Sequence, residues 1–491
     1  MAFDAAAIKR VRTQQERATE TQAPAYVWVF LACLVFSLFS GHSDQLGLPM
    51  GLDRPLLLLT IVLLVLDPGT ETLRWRAVYP LMGLTVVWTL ISWIGSGGQL
   101  TDTYKMFALT DRIIMPFSMF VFGALIFATE YRRLLLMKTA AIMGIYLGVT
   151  AILERIGIRQ LIFPRYISDL QEFQSEWRAL GPFGGGEPLG MTAALIFFMS
   201  CFLFYRTHDR WRWVALASAI LCLIANAMSM TRSAWLGLLL GIAVCVLALP
   251  DLRRKAPAII GSVVVFFGLA LALLPTLRED LLRRLEAGGS LYDRVNTNDA
   301  ALRIITAEPL QGIGWGNFIT DNVLWVRQAD TYPVTTVTIE VHNVFLSRAA
   351  ETGVIGAVLW GLCILLGPVL AVSARARIVE MHGWKIIGWA ALMVWLVPTM
   401  MSPNPYPTPN FLVWLICGIA GRGILVNLPN ERDFENLAAF DVAETRARRL
   451  PTPAEVWSVI GKPPKAQVTP TPKETTPSSA QDTPAASAPW K

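Results

Sequence analysis

Charge is what this chain has little of. Of its 491 residues only 16% are Asp, Glu, Lys or Arg, against about 25% in a soluble domain. Hydrophobic residues make up 54%. That balance excludes an ordinary soluble enzyme, a nucleic-acid-binding module and a disordered chain. Cysteine is also sparse. The six, Cys33, Cys201, Cys222, Cys245, Cys363 and Cys417, stand singly inside apolar blocks with no CxxC spacing. A disulfide framework or a zinc site is therefore not expected, and the cysteines read as small lipid- or helix-facing hydrophobes. The period-two alternation of a membrane β-barrel is missing. So are a Walker loop, an HExxH helix and a nucleophile elbow. The run Pro309-Leu310-Gln311-Gly312-Ile313-Gly314-Trp315-Gly316-Asn317-Phe318 has glycines like those of a nucleotide loop but no βαβ setting. It reads as tight backbone packing with an aromatic near the interface.

What is present is a series of apolar blocks, each matching the roughly 20 helical residues that cross a 30 Å hydrocarbon layer. Their cores lie near 26–40, 55–66, 77–95, 113–129, 134–152, 188–205, 211–229, 233–249, 257–275, 343–371, 386–401 and 410–427. The fold expected is all-α, a polytopic integral membrane protein of about 12 transmembrane helices. One large extracytoplasmic loop, 277–341, falls between helices 9 and 10. Its mix of Leu, Arg, Asp, Trp and Gly suggests helices lying over the membrane surface. Alternate short loops carry fourteen basic residues, among them Arg132, Arg133, Arg253 and Arg254, against eight in the other set. By the positive-inside rule the richer set is cytoplasmic. Both termini then face the cytoplasm: a tail over 1–24 and a Pro/Thr/Ser/Ala-rich, largely disordered tail over 429–491, with 25–428 as the membrane domain.

Polar residues gather at the outer rim, and the spans read as mostly uninterrupted and free of buried charge. That pattern suits chemistry on a lipid-borne substrate better than transport, which predicts broken helices and charges within spans. His342 stands where the long loop enters span ten. On a continuous helix it shares a face with Leu346, Ala349, Ala350 and Gly353. That face is small, so a neighbouring helix or a lipid chain can approach. A histidine there suits a general base near neutral pH, or merely caps the helix. Arg232 lies at the mouth of span eight. Arg178 precedes the glycine-rich Gly181–Gly186 stretch, and Arg294 and Arg303 lie in the long loop. Guanidinium forks bind phosphate oxygens in pairs, so several converging on one groove would suit a lipid diphosphate. Asp102, Asp111, Glu154, Asp169, Glu172 and Glu187 are candidate outer acids with no spacing that pairs them.

These residues resemble those of a known family. His342-Asn343, followed by Leu346 and Gly353, is similar to the signature histidine motif of bacterial O-antigen ligases. Arg232 with Leu236 at a span mouth resembles a second family element. An arginine followed by the run from Glu308 to Phe318 resembles a third. The resemblance covers roughly 25–427 and extends to related O-antigen polymerases and protein O-oligosaccharyltransferases. It implies a metal-independent, inverting glycosyltransferase of the bacterial inner membrane, multi-pass, with its site facing the periplasm and no cofactor. The donor would be a glycan on undecaprenyl diphosphate. The acceptor would be lipid A core for a ligase, another glycan for a polymerase, or a protein. His342 would be the base and Arg232 would hold the diphosphate, helped by Arg178, Arg294 or Arg303, with Asn343, Leu346 and Gly353 as motif support. The alternative from another class is a flippase for lipid-linked glycans.

Overall fold

In a computed structural model, the structure describes residues 23–48, 50–168, 178–258, 289–326, 340–375 and 379–427, with isolated positions at 261, 265, 268 and 279. The described residues are helical, with no strand beyond an isolated bridge between Leu73 and Val426. In chain order the helices are α1 (Ala25–Phe36), α2 (Asp53–Leu66), α3 (Val78–Gly95), α4 (Thr103–Ile126), α5 (Glu130–Ile156), α6 (Gly186–Arg206), α7 (Arg210–Met228) and α8 (Arg232–Ala248). Then come α9 (Gly289–Ala307) and α10 (Phe318–Trp325) from the long loop, and α11 (Val344–Ser373), α12 (Val379–Met401) and α13 (Pro407–Leu425). Nine helices among the described residues are long and apolar enough to cross a membrane. They are α3 to α7, α11 to α13, and α1 with its 3₁₀ continuation to His42; α8 is apolar but shorter. The ninth expected block, 257–275, lies almost wholly outside the described residues. So do 1–22 and the tail from 428 onward.

Local chemistry sets the boundaries. The Thr129 side chain accepts from the Arg132 amide at the start of α5, and Gly157 ends that helix in the left-handed conformation. Asp209 caps α7 in the same way, accepting from Trp211. Between α7 and α8 the chain turns at Met230, whose φ of 50° is left-handed. That turn keeps the two helices separate. Helix α13 is buried along nearly its whole length and packs on α4. A Cβ on Gly418 would run into the Phe120 carbonyl, and one on Gly123 into the Leu415 carbonyl. Small residues here let two backbones touch, as helices packed in lipid require.

Two expectations need correction. The spans are neither uninterrupted nor free of buried charge. Helix α4 carries a π turn at Thr110–Ile114 and α11 another at Leu365–Val369. Inside α11, Arg348 and Glu351 are buried as an ion pair with N···O 3.9 Å. Nor is the face below His342 a continuous helical surface. Gly353 has φ 70° and ψ 176°, so α11 breaks there. The face above the break is covered by the loop helices. Ala300, Ala301 and Ile304 of α9 and Phe318 of α10 form one apolar cluster with Val341 and Ala350, and Leu346 packs against it.

Candidate functional site

The segment carrying His342 is held from both sides. Behind it, Asn343 caps α11: its Oδ1 accepts from the amides of Phe345 (2.9 Å) and Leu346 (3.2 Å). The asparagine of the motif therefore serves the backbone. Ahead of it, Glu340 receives two hydrogen bonds from Arg112, at 2.7 and 3.2 Å. Arg112 projects from the π turn of α4, a feature frequent at functional positions. The preceding residue, Asp111, accepts from Arg54 at 2.7 Å.

The glycine-rich run of the long loop is a strap across the break in α11. The amide of Ile313 donates to the Ala350 carbonyl (3.0 Å), that of Gly314 to Glu351 (2.9 Å), and that of Val354 to Pro309 (2.8 Å). The Ser92 hydroxyl of α3 is shared between the carbonyls of Gln311 and Glu351, both at 2.9 Å. The reading of this run as tight backbone packing holds. Its tryptophan, however, is buried. The Trp315 ring lies 4.5 Å beneath the Arg348 guanidinium, with Trp360 at 5.8 Å. Arg348 and Arg112 line a cavity of about 20 Å³ with Trp395, Thr399, Asn404 and Asn410, room for one water.

A second group of residues converges where α6, α8 and α13 begin and α12 ends. The loop before α6 is bound to the turn after α7 by the Ala179 amide, which donates to the Met228 carbonyl at 2.9 Å. A Cβ on Gly186 would lie 3.3 Å from Arg178 Cδ and 3.2 Å from Thr231 Oγ1. One on Gly185 would lie 3.8 Å from Tyr406 Cε1. These glycines bring Arg178, the turn carrying Arg232, and Tyr406 together. Glu187, in the first turn of α6, accepts from the Ser402 hydroxyl. Burial lowers the pKa of Arg178, opposed by Tyr406 and Glu187. It lowers that of Arg294 too, opposed by Glu187 and reinforced by Arg232. Burial pushes the Tyr406 phenol up, and that phenol feels Glu187 and Arg178 as well as Glu340 and Arg112. Tyr406 thus stands between the arginine group and the pair that anchors the His342 segment. Arg294 Nε is buried and makes no hydrogen bond among the described residues.

Of the arginines expected at the site, Arg178 and Arg294 each feel Glu187, and Arg294 also feels the exposed Arg232. Arg303 is engaged elsewhere, donating from Nε to the Trp325 carbonyl of α10 at 2.9 Å. Ser402, Tyr406, Arg112, Glu340 and the Arg348–Glu351 pair escaped sequence reasoning, and Glu187 stood there only as one of six unpaired acids. For the pair a signal existed: opposite charges three apart in an apolar block form an i,i+3 contact.

No curated protein matches this chain. A family model does: residues 217–361 match the model described as O-antigen ligase. The matched stretch runs from within α7, through Arg232, Arg294 and Arg303, to beyond His342 and the break at Gly353. The family implies a membrane enzyme of the glycan ligase or polymerase type. The chain, all-helical where described and with nine helices among the described residues long and apolar enough to span a membrane, is similar over residues 217–361 to the O-antigen ligase family.

Proposed function

We propose that this protein transfers a glycan from undecaprenyl diphosphate to an acceptor hydroxyl on the periplasmic face of the bacterial inner membrane, as an O-antigen ligase acting on lipid A core. The observation that carries the reading is that the Gly185–Gly186 turn brings Arg178, the turn carrying Arg232 and Tyr406 together, on the outer side where Arg112 and Glu340 hold the segment before His342. Guanidiniums suit a diphosphate, whose charge grows as the glycosidic bond breaks, and fixed cations stabilise most where charge develops. His342 takes the proton of the acceptor hydroxyl as its oxygen attacks the anomeric carbon. The bond from that carbon to the diphosphate oxygen breaks on the opposite face, and its electron pair leaves with the diphosphate. The anomeric centre inverts. Diphosphate leaves readily, so no strong general acid is required.

The test uses full-length protein in nanodiscs with undecaprenyl-diphosphate oligosaccharide and a lipid A core acceptor, with and without chelator. Release of undecaprenyl diphosphate that requires His342 and survives the chelator is the expected result. One added glycan block marks a ligase, a ladder a polymerase, and a glycosylated polypeptide a protein oligosaccharyltransferase. Glycan that crosses the bilayer of reconstituted vesicles without release would instead make the protein a flippase, a reading that the buried Arg348–Glu351 pair keeps open.

A further inference from the structure

Helix α5 carries an acid where the helix dipole favours a base. Glu154 stands in its last turn, at the negative end of the macrodipole, so helix formation does not account for it. What accounts for it lies 26 residues further on. The amide of Leu180 donates to Glu154 Oε2 at 2.8 Å, and that of Gly181 donates to both carboxyl oxygens, at 3.1 and 3.2 Å. Leu180 has φ −112° and ψ −25°, and Gly181 has φ 60°. A right-handed residue followed by a left-handed one turns successive amides toward one point, a nest that collects an anion or an acceptor. Glu154 fills this nest from within the chain. Leu180 and Gly181 are buried, so without Glu154 two donors would lose their acceptor away from water.

The nest is the base of the loop that carries Arg178, and its neighbours are fixed too. The Ala179 amide donates to the Met228 carbonyl at 2.9 Å. The Tyr166 hydroxyl donates to the Pro182 carbonyl at 2.7 Å. Residues 179 to 182 are thus bonded one after another to the turn after α7, to α5, and to the 3₁₀ turn Arg165–Ser168. The stem of Arg178 lies against Gly186, where a Cβ would come within 3.3 Å of its Cδ and 3.2 Å of Thr231 Oγ1. Thr231 directly precedes Arg232, and its turn is held in place by Asn226, which donates to the Gly190 carbonyl of α6 at 2.8 Å.

We propose that Glu154 is a positioning residue for the donor diphosphate: by filling the Leu180–Gly181 nest it fixes the root of Arg178 against the turn that carries Arg232. The proposal rests on the reading of Arg178 and Arg232 as a diphosphate clamp. Glu154 itself touches no substrate. What the loop takes from it is acceptor oxygens, not net charge. An arginine whose root is held before the ligand arrives has less freedom to lose on binding. Glu154 therefore acts on the donor, and not on the acceptor hydroxyl.

The experiment measures binding of a short-chain polyprenyl diphosphate to full-length protein in nanodiscs by calorimetry, in wild type, Glu154→Ala, Arg178→Ala and the double variant. Glu154→Ala should raise the dissociation constant about tenfold, and Arg178→Ala by at least as much. The double variant should bind no more weakly than Arg178→Ala, because a residue acting through another adds nothing once that other is gone. In transfer, Glu154→Ala should raise the donor KM by a similar factor and leave the acceptor KM where it was; a general loosening would raise both. Unchanged binding in Glu154→Ala beside weakened binding in Arg178→Ala overturns the role of Glu154 and leaves the clamp standing. Effects that multiply in the double variant, or an acceptor KM that rises with the donor KM, overturn that role in the same way. Unchanged binding in Arg178→Ala takes Arg178 out of the clamp, and the proposal falls with it. Hydrogen exchange on ligand-free wild type needs no variant to fold. There the Leu180 and Gly181 amides should exchange slowly, and fast exchange at both overturns the anchor.

Discussion

Asn343 commits its side-chain oxygen to two amides of the first turn of α11, and the residue before it inherits a defined position. Asn343→Ala removes that cap, an effect of about 1 kcal/mol on helix stability. It should lower both the melting temperature and the transfer rate, whereas Asn343→Asp, which caps equally well, should keep most of both. Thermal unfolding in detergent beside a transfer assay distinguishes the two. At His342 itself, replacement by Ala should abolish transfer in a protein that still folds and inserts; transfer near the wild-type rate would refute the base. Arg232→Lys should lose most activity, because a point charge cannot copy a two-pronged fork, and full activity there would remove Arg232 from the clamp. The histidine motif and the four arginines stand out in the sequence as candidates because each sits in a polar stretch beside an apolar block. Arg112 and Glu340 do not, since their partnership spans 228 positions and neither neighbourhood advertises the other.

At the scale of elements, α11 is two helices joined at Gly353 under a strap. The left-handed φ of 70° there disfavours any side chain, and a Cβ would meet the Leu310 carbonyl. Gly353→Ala should cost on the order of 1–3 kcal/mol from backbone strain alone and loosen the strap from Ala350 and Glu351, with transfer lost alongside stability. Gly361 is the control. It lies in the same helix, a Cβ there meets nothing within 4 Å, and Gly361→Ala should leave the melting temperature unchanged or raised. Apolar length made the helices legible; the caps at Thr129 and Asp209 emerged only with the structure. The break was not legible, because glycine is common in spans and only the carbonyls of another segment pressing on Gly353 give this one its role. Helices in the long loop were expected, but their packing on Leu346 and Ala350 was hidden for a related reason. Their apolar residues are few and read as a surface segment until α11 supplies the other half of the cluster.

For the whole molecule, α13 is the element around which the others close. Gly418→Leu should prevent its approach to Phe120 of α4 and yield protein that inserts but is rapidly degraded, while Gly423→Ala, with open space around its Cβ, should accumulate normally. Pulse-chase measurement of both variants decides this; a Gly418→Leu protein as long-lived as wild type would show that the contact is dispensable. The Ser92 hydroxyl has a consequence of another kind. Its two acceptors follow it by 219 and 259 residues. At bacterial synthesis rates of roughly 5–20 residues per second, α3 enters the bilayer roughly 13–50 s before the second of them has been made. Through that interval the hydroxyl, the strap and the break of α11 are parts without a whole. The strap can close over the break only once the last third of the chain has arrived.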